Sequence, residues 1–308
     1  MSAEPLSPIV ALVGATAAGK SGLSLDLAER VDGEVVNTDA MQVYRGMDIG
    51  TAKLPEHQRR GIPHHLLDLL EVTEPLTVAE FQGLARTTIA DIRARGRTPV
   101  LVGGSALYTR AVLDRFDFPG TDPDVRRALE AELAEVGPAA LHLRLAEVDA
   151  EAAARILPDN GRRIVRALEV VIITGRPYSA SLPEHAYLDP ASVQIGIDID
   201  RPTLDVRIEQ RVREMFEAGF VDEVGRLLDA GLSQGRTAST AIGYREVAAY
   251  LAGETALDEA IEATVRATRR FSRRQDSWFR KDPRVVWVQW DDPERVERAA
   301  EAVRANGD

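Results

Sequence analysis

Apolar residues occur along this chain in short runs that alternate with stretches of helical period. Ile9–Val13 is such a run and ends at Gly14, after which Ser21–Glu29 repeats apolar positions at helical spacing. Glu34–Asn37 reads as a second short strand, with Asp39 just beyond its end. Val78–Arg95 has the spacing of an amphipathic helix, and Pro99–Val102 is a third buried strand closed by Gly103 and Gly104. Strands alternating with helices predict an α/β fold with a parallel sheet flanked by helices.

The pattern changes after about Pro119. Residues 123–175 are rich in Ala, Leu, Glu and Arg and carry no strand period, so they read as a mainly helical insertion. Val193–Ile199 alternates and is expected to return to the sheet. Leu204–Ala218, Val221–Ala230, Tyr244–Leu251 and Leu257–Phe279 read as helices, with Gly243-Tyr244 as a helix-start turn. Val285–Val288 is a candidate last strand before an acidic carboxyl-terminal helix. Residues 1–8 hold two prolines and read as a loose tail. The expected division is a core in two parts, residues 1–120 and 189–308, with the insertion at 121–188.

Bulk properties narrow the class. At 308 residues the chain exceeds one compact core, which supports a second, smaller domain. No cysteine is present, so disulfides and thiolate metal sites are excluded. The first ten residues show no cationic segment followed by an apolar one, and runs such as Val170–Ile173 are far too short to cross a bilayer. A cytoplasmic protein with no membrane association is expected. The net charge of −11 argues against a nucleic-acid partner as a bulk property, but binding depends on local charge.

Gly14-Ala15-Thr16-Ala17-Ala18-Gly19-Lys20-Ser21 matches G-x-x-x-x-G-K-[ST] in full, between a strand and a helix. Glycines let backbone N–H groups approach phosphate oxygens, the helix start adds positive potential, Lys20 adds a cation and Ser21 can ligate Mg²⁺. Phosphate-loop hydrolases usually hold their metal through an acid ending another strand. Here Pro99–Val102 runs into Gly103-Gly104-Ser105. That weakens a standard hydrolase reading and leaves open a diphosphate acting as leaving group. Asp39 follows the second strand and so belongs at the same carboxyl edge, either as a proton acceptor or as a local cap.

Arg266–Lys281 contains Arg266, Arg269, Arg270, Arg273, Arg274, Arg280 and Lys281 against one acid, Asp276, interleaved with Phe271, Trp278 and Phe279. Arg269, Arg273 and Arg280 fall near one helical face, a possible grip for an RNA backbone. The adjacent pair His64-His65 projects in divergent directions and is a poor metal pair.

The chain resembles the tRNA dimethylallyltransferases, or tRNA isopentenyltransferases. The resemblance rests on Gly14–Ser21, Asp39–Lys53, Pro63–Asp68, Val102–Tyr108, Arg162–Glu169, Ala241–Glu246 and Thr268–Lys281, in family order. It implies a P-loop NTPase-like core with a helical insertion gripping the anticodon stem-loop, in a monomer. It implies transfer of a dimethylallyl group from dimethylallyl diphosphate to N6 of adenosine 37 of tRNA, with Mg²⁺ on the departing diphosphate. By the family pattern Asp39 accepts the N6 proton, Thr16 contacts a diphosphate oxygen and Arg211 completes the cradle, with Arg207 as second choice. Gly14, Ala15, Thr16, Ala17, Ala18, Gly19, Lys20 and Ser21 would bind diphosphate, Ser21 also the metal. Asp39, Ala40, Met41, Gln42, Ser105, Arg162, Arg163, Arg166, Arg273 and Arg274 would meet tRNA. The alternatives are a prenyltransferase of free AMP, ADP or ATP, a P-loop kinase or ATPase, and an RNA-binding protein whose loop senses nucleotide.

Overall fold

A computed structural model describes residues 7–116, 118–178 and 185–306; most of the expected amino-terminal tail lies outside them. In chain order the elements are β1 (Val10–Val13), α1 (Lys20–Arg30), β2 (Gly33–Asn37), β3 (His64–His65), α2 (Val78–Ala94), β4 (Thr98–Val102) and α3 (Ala106–Leu113). Next come α4 (Pro123–Val148), α5 (Ala150–Arg155) and α6 (Gly161–Thr174). The last are β5 (Val193–Asp198), α7 (Arg201–Glu217), α8 (Phe220–Asp229), α9 (Tyr244–Leu251), α10 (Leu257–Phe279), β6 (Val285–Gln289) and α11 (Arg295–Ala305).

The six strands form one parallel sheet in the order β3-β2-β4-β1-β5-β6. Strand side chains alternate between its faces. Ala11, Val13, Val36 and Leu101 enter one apolar layer, and Val10, Leu12, Val35, Val100 and Ile195 enter the other. Burying each Val or Leu contributes ~1.5–3 kcal/mol, so both faces of β1 and β4 anchor the core. β3 was not expected from the sequence. It is two residues long, and its pattern is too short to separate from a loop.

The chain forms two compact units. One comprises residues 1–114 and 187–308, the other Arg115–Ala186. In the second unit Leu129, Leu141, Leu145, Ile164 and Leu168 pack together, and fully buried Glu169 pairs with Arg126 and Arg166. α4 is broken at Gly137, whose φ is 79°, followed by Pro138. α7 starts earlier than its apolar spacing suggests, because Asp200 caps it and Pro202 lies in its first turn. No helix of the described residues is long and apolar enough to cross a membrane.

Candidate functional site

The loop after β1 opens at the carboxyl edge of the sheet, where β2 and β4 also end. Gly14 (φ 128°), Ala17 (φ 63°) and Gly19 (φ 105°) turn it into a cradle. Gly19 caps α1 without any side-chain hydrogen bond, so first-turn N–H groups remain available to an anion. Lys20 Nζ folds back on the carbonyls of Gly14 (3.0 Å) and Ala15 (2.8 Å). Burial, with the Arg211 charge, pushes its pKa down to about 8, against the opposing pull of Asp39. The Ser21 hydroxyl lines the cavity and has no hydrogen-bond partner among the described residues.

Asp39 stands on the turn after β2, held by Asn37, whose side chain accepts from its N–H (2.8 Å) and donates to its carbonyl (3.0 Å). Its Oδ1 accepts from the Met41 N–H at 2.9 Å, so the residue is a local cap as well as a cavity wall. Burial raises its pKa above the ordinary carboxylate value, and Met41, Lys20 and Arg211 pull the other way. Arg211 on α7 donates to the Thr16 hydroxyl at 3.3 Å, while Arg207 donates to the Ala17 carbonyl at 3.0 Å and lies over the Trp290 ring. Of the two candidate arginines, Arg211 therefore reaches Thr16 and Arg207 braces the loop.

Two cavities meet here. The larger, about 550 Å³, is lined by the loop, Asp39, Gln42, His64, His65, Arg207 and Arg211. The smaller, about 340 Å³, is more apolar and is lined by Ala40, Met41, Ser105, Ile208, Met215, Phe271 and Arg274. Thr16, Ala17, Asp39, Thr51 and Arg211 belong to both linings, so Asp39 and the loop form the common wall.

The other expected site residues divide. Ser105 Oγ accepts from the Ala40 N–H at 3.4 Å, and Gln42 donates to the Thr51 carbonyl at 3.0 Å. Arg274 stands over Phe271 at the smaller cavity, and Arg273 is exposed with no partner among the described residues. Arg162 and Arg163 are exposed on α6. Arg166 turns inward instead, donating to the carbonyls of Pro119 (2.6 Å) and Gly120 (3.1 Å) and pairing with Glu169. Two members of the expected face of Arg269, Arg273 and Arg280 have carboxylate partners within the fold. Arg269 pairs with Glu209 on α7, and Arg280 pairs with Asp198 and Asp276 over Trp287, because nearby carboxylates neutralise them. His65 pairs with Glu34 at 2.6 Å, and His64 contacts the Ile62 carbonyl.

Sequence reasoning missed three buried polar groups. Gln275 accepts from the Thr16 N–H and donates to the Gly104 carbonyl, each at 2.9 Å. Glu223 accepts from the N–H groups of Asp48, Ile49 and Gly50 and from the Tyr244 hydroxyl. Lys53 ties Asp48, Asp68 and the Tyr44 carbonyl together. A signal existed for Gln275: with Ser272 and Phe279 it keeps the helical period of the buried face of α10.

A parallel sheet with a lysine-bearing anion cradle, and a raised-pKa carboxylate between two cavities, defines a P-loop-fold enzyme of group transfer from an oligophosphate. The comparisons specify which. Residues 42–282 match the family model described as IPP transferase. The tRNA dimethylallyltransferase of Nocardioides sp. is 73% identical over 98% of this chain and 97% of its own length. That of Thermobifida fusca is 58% identical over 98% and 96%. The full-length tRNA isopentenylpyrophosphate transferase of Bacillus halodurans has a similar crystal structure, with TM-score 0.72, 41% identity, and coverage of 97% of this chain and 98% of that one. A eukaryotic dimethylallyltransferase solved acting on tRNA matches at TM-score 0.80 and 26% identity, covering 97% and 77%. The chain belongs to the IPP transferase family, the tRNA dimethylallyltransferases.

Proposed function

We propose that this chain transfers the dimethylallyl group of dimethylallyl diphosphate to N6 of adenosine 37 in tRNA and releases diphosphate. The observation that carries the reading is the wall shared by two cavities, with the carboxylate of Asp39 beside the phosphate loop. Diphosphate lies in the cradle of Gly14–Ser21, with Thr16 and Arg211 at its reacting end. The adenine, turned out of the anticodon loop, approaches Asp39 past Ala40, Met41, Gln42 and Ser105. A bond forms between N6 and allylic C1 as the C1–O bond breaks. The electron pair stays on the diphosphate, and the N6 proton passes to Asp39.

The burial that raises the Asp39 pKa suits that proton transfer, since it brings the carboxylate nearer the working pH. Charge gathering on the diphosphate is met by Lys20, Arg211 and loop N–H groups. A magnesium ion carried by the diphosphate fits the free Ser21 hydroxyl and would supply further neutralisation of the leaving group. The described residues hold no cluster of three or more His, Asp and Glu suited to a metal, so this donor set suits an ion that arrives with its phosphates.

On this reading helices α4–α6 grip the anticodon stem-loop through Arg162 and Arg163, and Arg270, Arg273 and Arg274 hold the RNA backbone. The enzyme works as a monomer in the cytoplasm. The test is incubation with labelled dimethylallyl diphosphate and two acceptors, unmodified tRNA and AMP. Label is expected on tRNA, and Asp39→Ala should cut turnover ~10²–10⁴-fold while RNA still binds. Label on AMP alone would assign the free-nucleotide reaction, and wild-type turnover in Asp39→Ala would remove the proposed base.

A further inference from the structure

The amide of Gln275 bridges two backbone segments that the reaction needs in register. Its Oε1 receives the Thr16 N–H, from the middle of the phosphate loop, and its Nε2 gives a hydrogen to the Gly104 carbonyl, beyond β4. The side chain is 4% exposed. Reversing the amide would set donor against donor and acceptor against acceptor, so its partners fix its orientation. The approach is close: a Cβ on Gly104 would lie 2.1 Å from Nε2. Glutamate would bring an acceptor against the Gly104 carbonyl, and methionine would make neither bond.

We propose that Gln275 is a positioning residue of the diphosphate site, a strut that holds Thr16 at the wall shared by the two cavities. The proposal rests on the prenyl-transfer reading for its consequence but on geometry for its substance. Thr16 presents its hydroxyl to Arg211, so the strut fixes both groups at the reacting end of the cradle. The neighbouring residue serves the other substrate. Arg274, about 100° further round α10, lines the smaller cavity with Phe271. One helix thus carries an RNA-facing arginine and, on its buried side, the brace of the phosphate loop. Effects on donor and on RNA should then separate between adjacent positions.

The experiment compares wild type, Gln275→Met, Gln275→Glu and Arg274→Ala, each confirmed folded by its melting curve. Inorganic pyrophosphate with Mg²⁺ is titrated into each, stem-loop RNA affinity is measured separately, and kcat and KM for the donor are determined. Gln275→Met is expected to weaken pyrophosphate binding about tenfold and to lower kcat/KM for the donor, with RNA affinity unchanged. Gln275→Glu, which keeps the acceptor but adds charge and loses the donor, should do the same while preserving side-chain volume. Arg274→Ala should show the reverse split. Wild-type pyrophosphate affinity in both Gln275 variants, or a loss confined to RNA, overturns the strut. Should wild type prove unable to prenylate tRNA, the function reading fails while the pyrophosphate titration still decides the strut.

Discussion

Removing the Glu223 carboxylate should loosen the stretch Asp48–Thr51, which contributes Gly50 and Thr51 to the cavity linings. Glu223 is 2% exposed and accepts from Asp48 N (3.1 Å), Ile49 N (2.7 Å), Gly50 N (3.2 Å) and the Tyr244 hydroxyl (2.7 Å). Each buried donor left unpaired costs ~1–3 kcal/mol. Four such donors do not add in full, because water entering the space left by alanine re-pairs some of them. A net loss of about 3–5 kcal/mol follows for Glu223→Ala, which lowers Tm by about 10 °C. Glu223→Gln keeps an acceptor oxygen but turns an NH₂ toward donors, so it should fall between. Function should follow, since Gln42 is held by the Thr51 carbonyl. The KM for tRNA should rise more than the KM for the donor. Denaturant midpoint, melting temperature and the two KM values check this. A Glu223→Ala protein melting within about 2 °C of wild type would show that the carboxylate does not carry the loop.

Lys20 supplies a pH prediction. Its folded pKa is pushed down to about 8, so its charge is present below that pH and lost as pH rises through it. The free enzyme's kcat/KM for the donor should decline above about pH 8, whereas kcat should decline later, because bound diphosphate holds the proton on Lys20. A kcat/KM profile flat beyond about pH 9 would contradict this. At the end of β4, Gly103→Ala would place a Cβ 2.3 Å from Thr38 Oγ1 and 2.6 Å from the Thr38 carbonyl carbon, a clash costing about 3 kcal/mol in urea unfolding. Gly83→Ala on the exposed face of α2, with nothing within 4 Å, should instead gain about 0.5–1 kcal/mol.

The strands carrying the site were readable because each holds a short apolar run beside a glycine or polar turn, as at Val10–Val13 before Gly14. The phosphate loop was readable because its spacing is itself the chemistry. Arg211 against Arg207 was not separable by spacing, since four residues on α7 place both on one face; the difference lies in which loop atom each one reaches. The ion pairs of Arg166, Arg269 and Arg280 were not read from the sequence, because a charge run does not show which carboxylates it meets. Glu209 and Asp198 lie on other elements, whereas Glu169 sits three residues beyond Arg166 on the same helix. The burial of Gln275 left a trace in the helical period, but its bonds and those of Glu223 did not, because their partners lie far along the chain.

The glycine pair after β4 also bears on how this chain can change over evolutionary time. The position where a nucleotide hydrolase would carry its metal-binding acid is filled by the atoms of Thr38 and Gln275, which close over bare Cα atoms. An aspartate at residue 103 would need the Thr38 turn to retreat first, and that turn leads directly to Asp39. Acquiring a hydrolase's acid therefore demands surrender of the carboxylate's present placement, so no single substitution leads from one chemistry to the other with both intact.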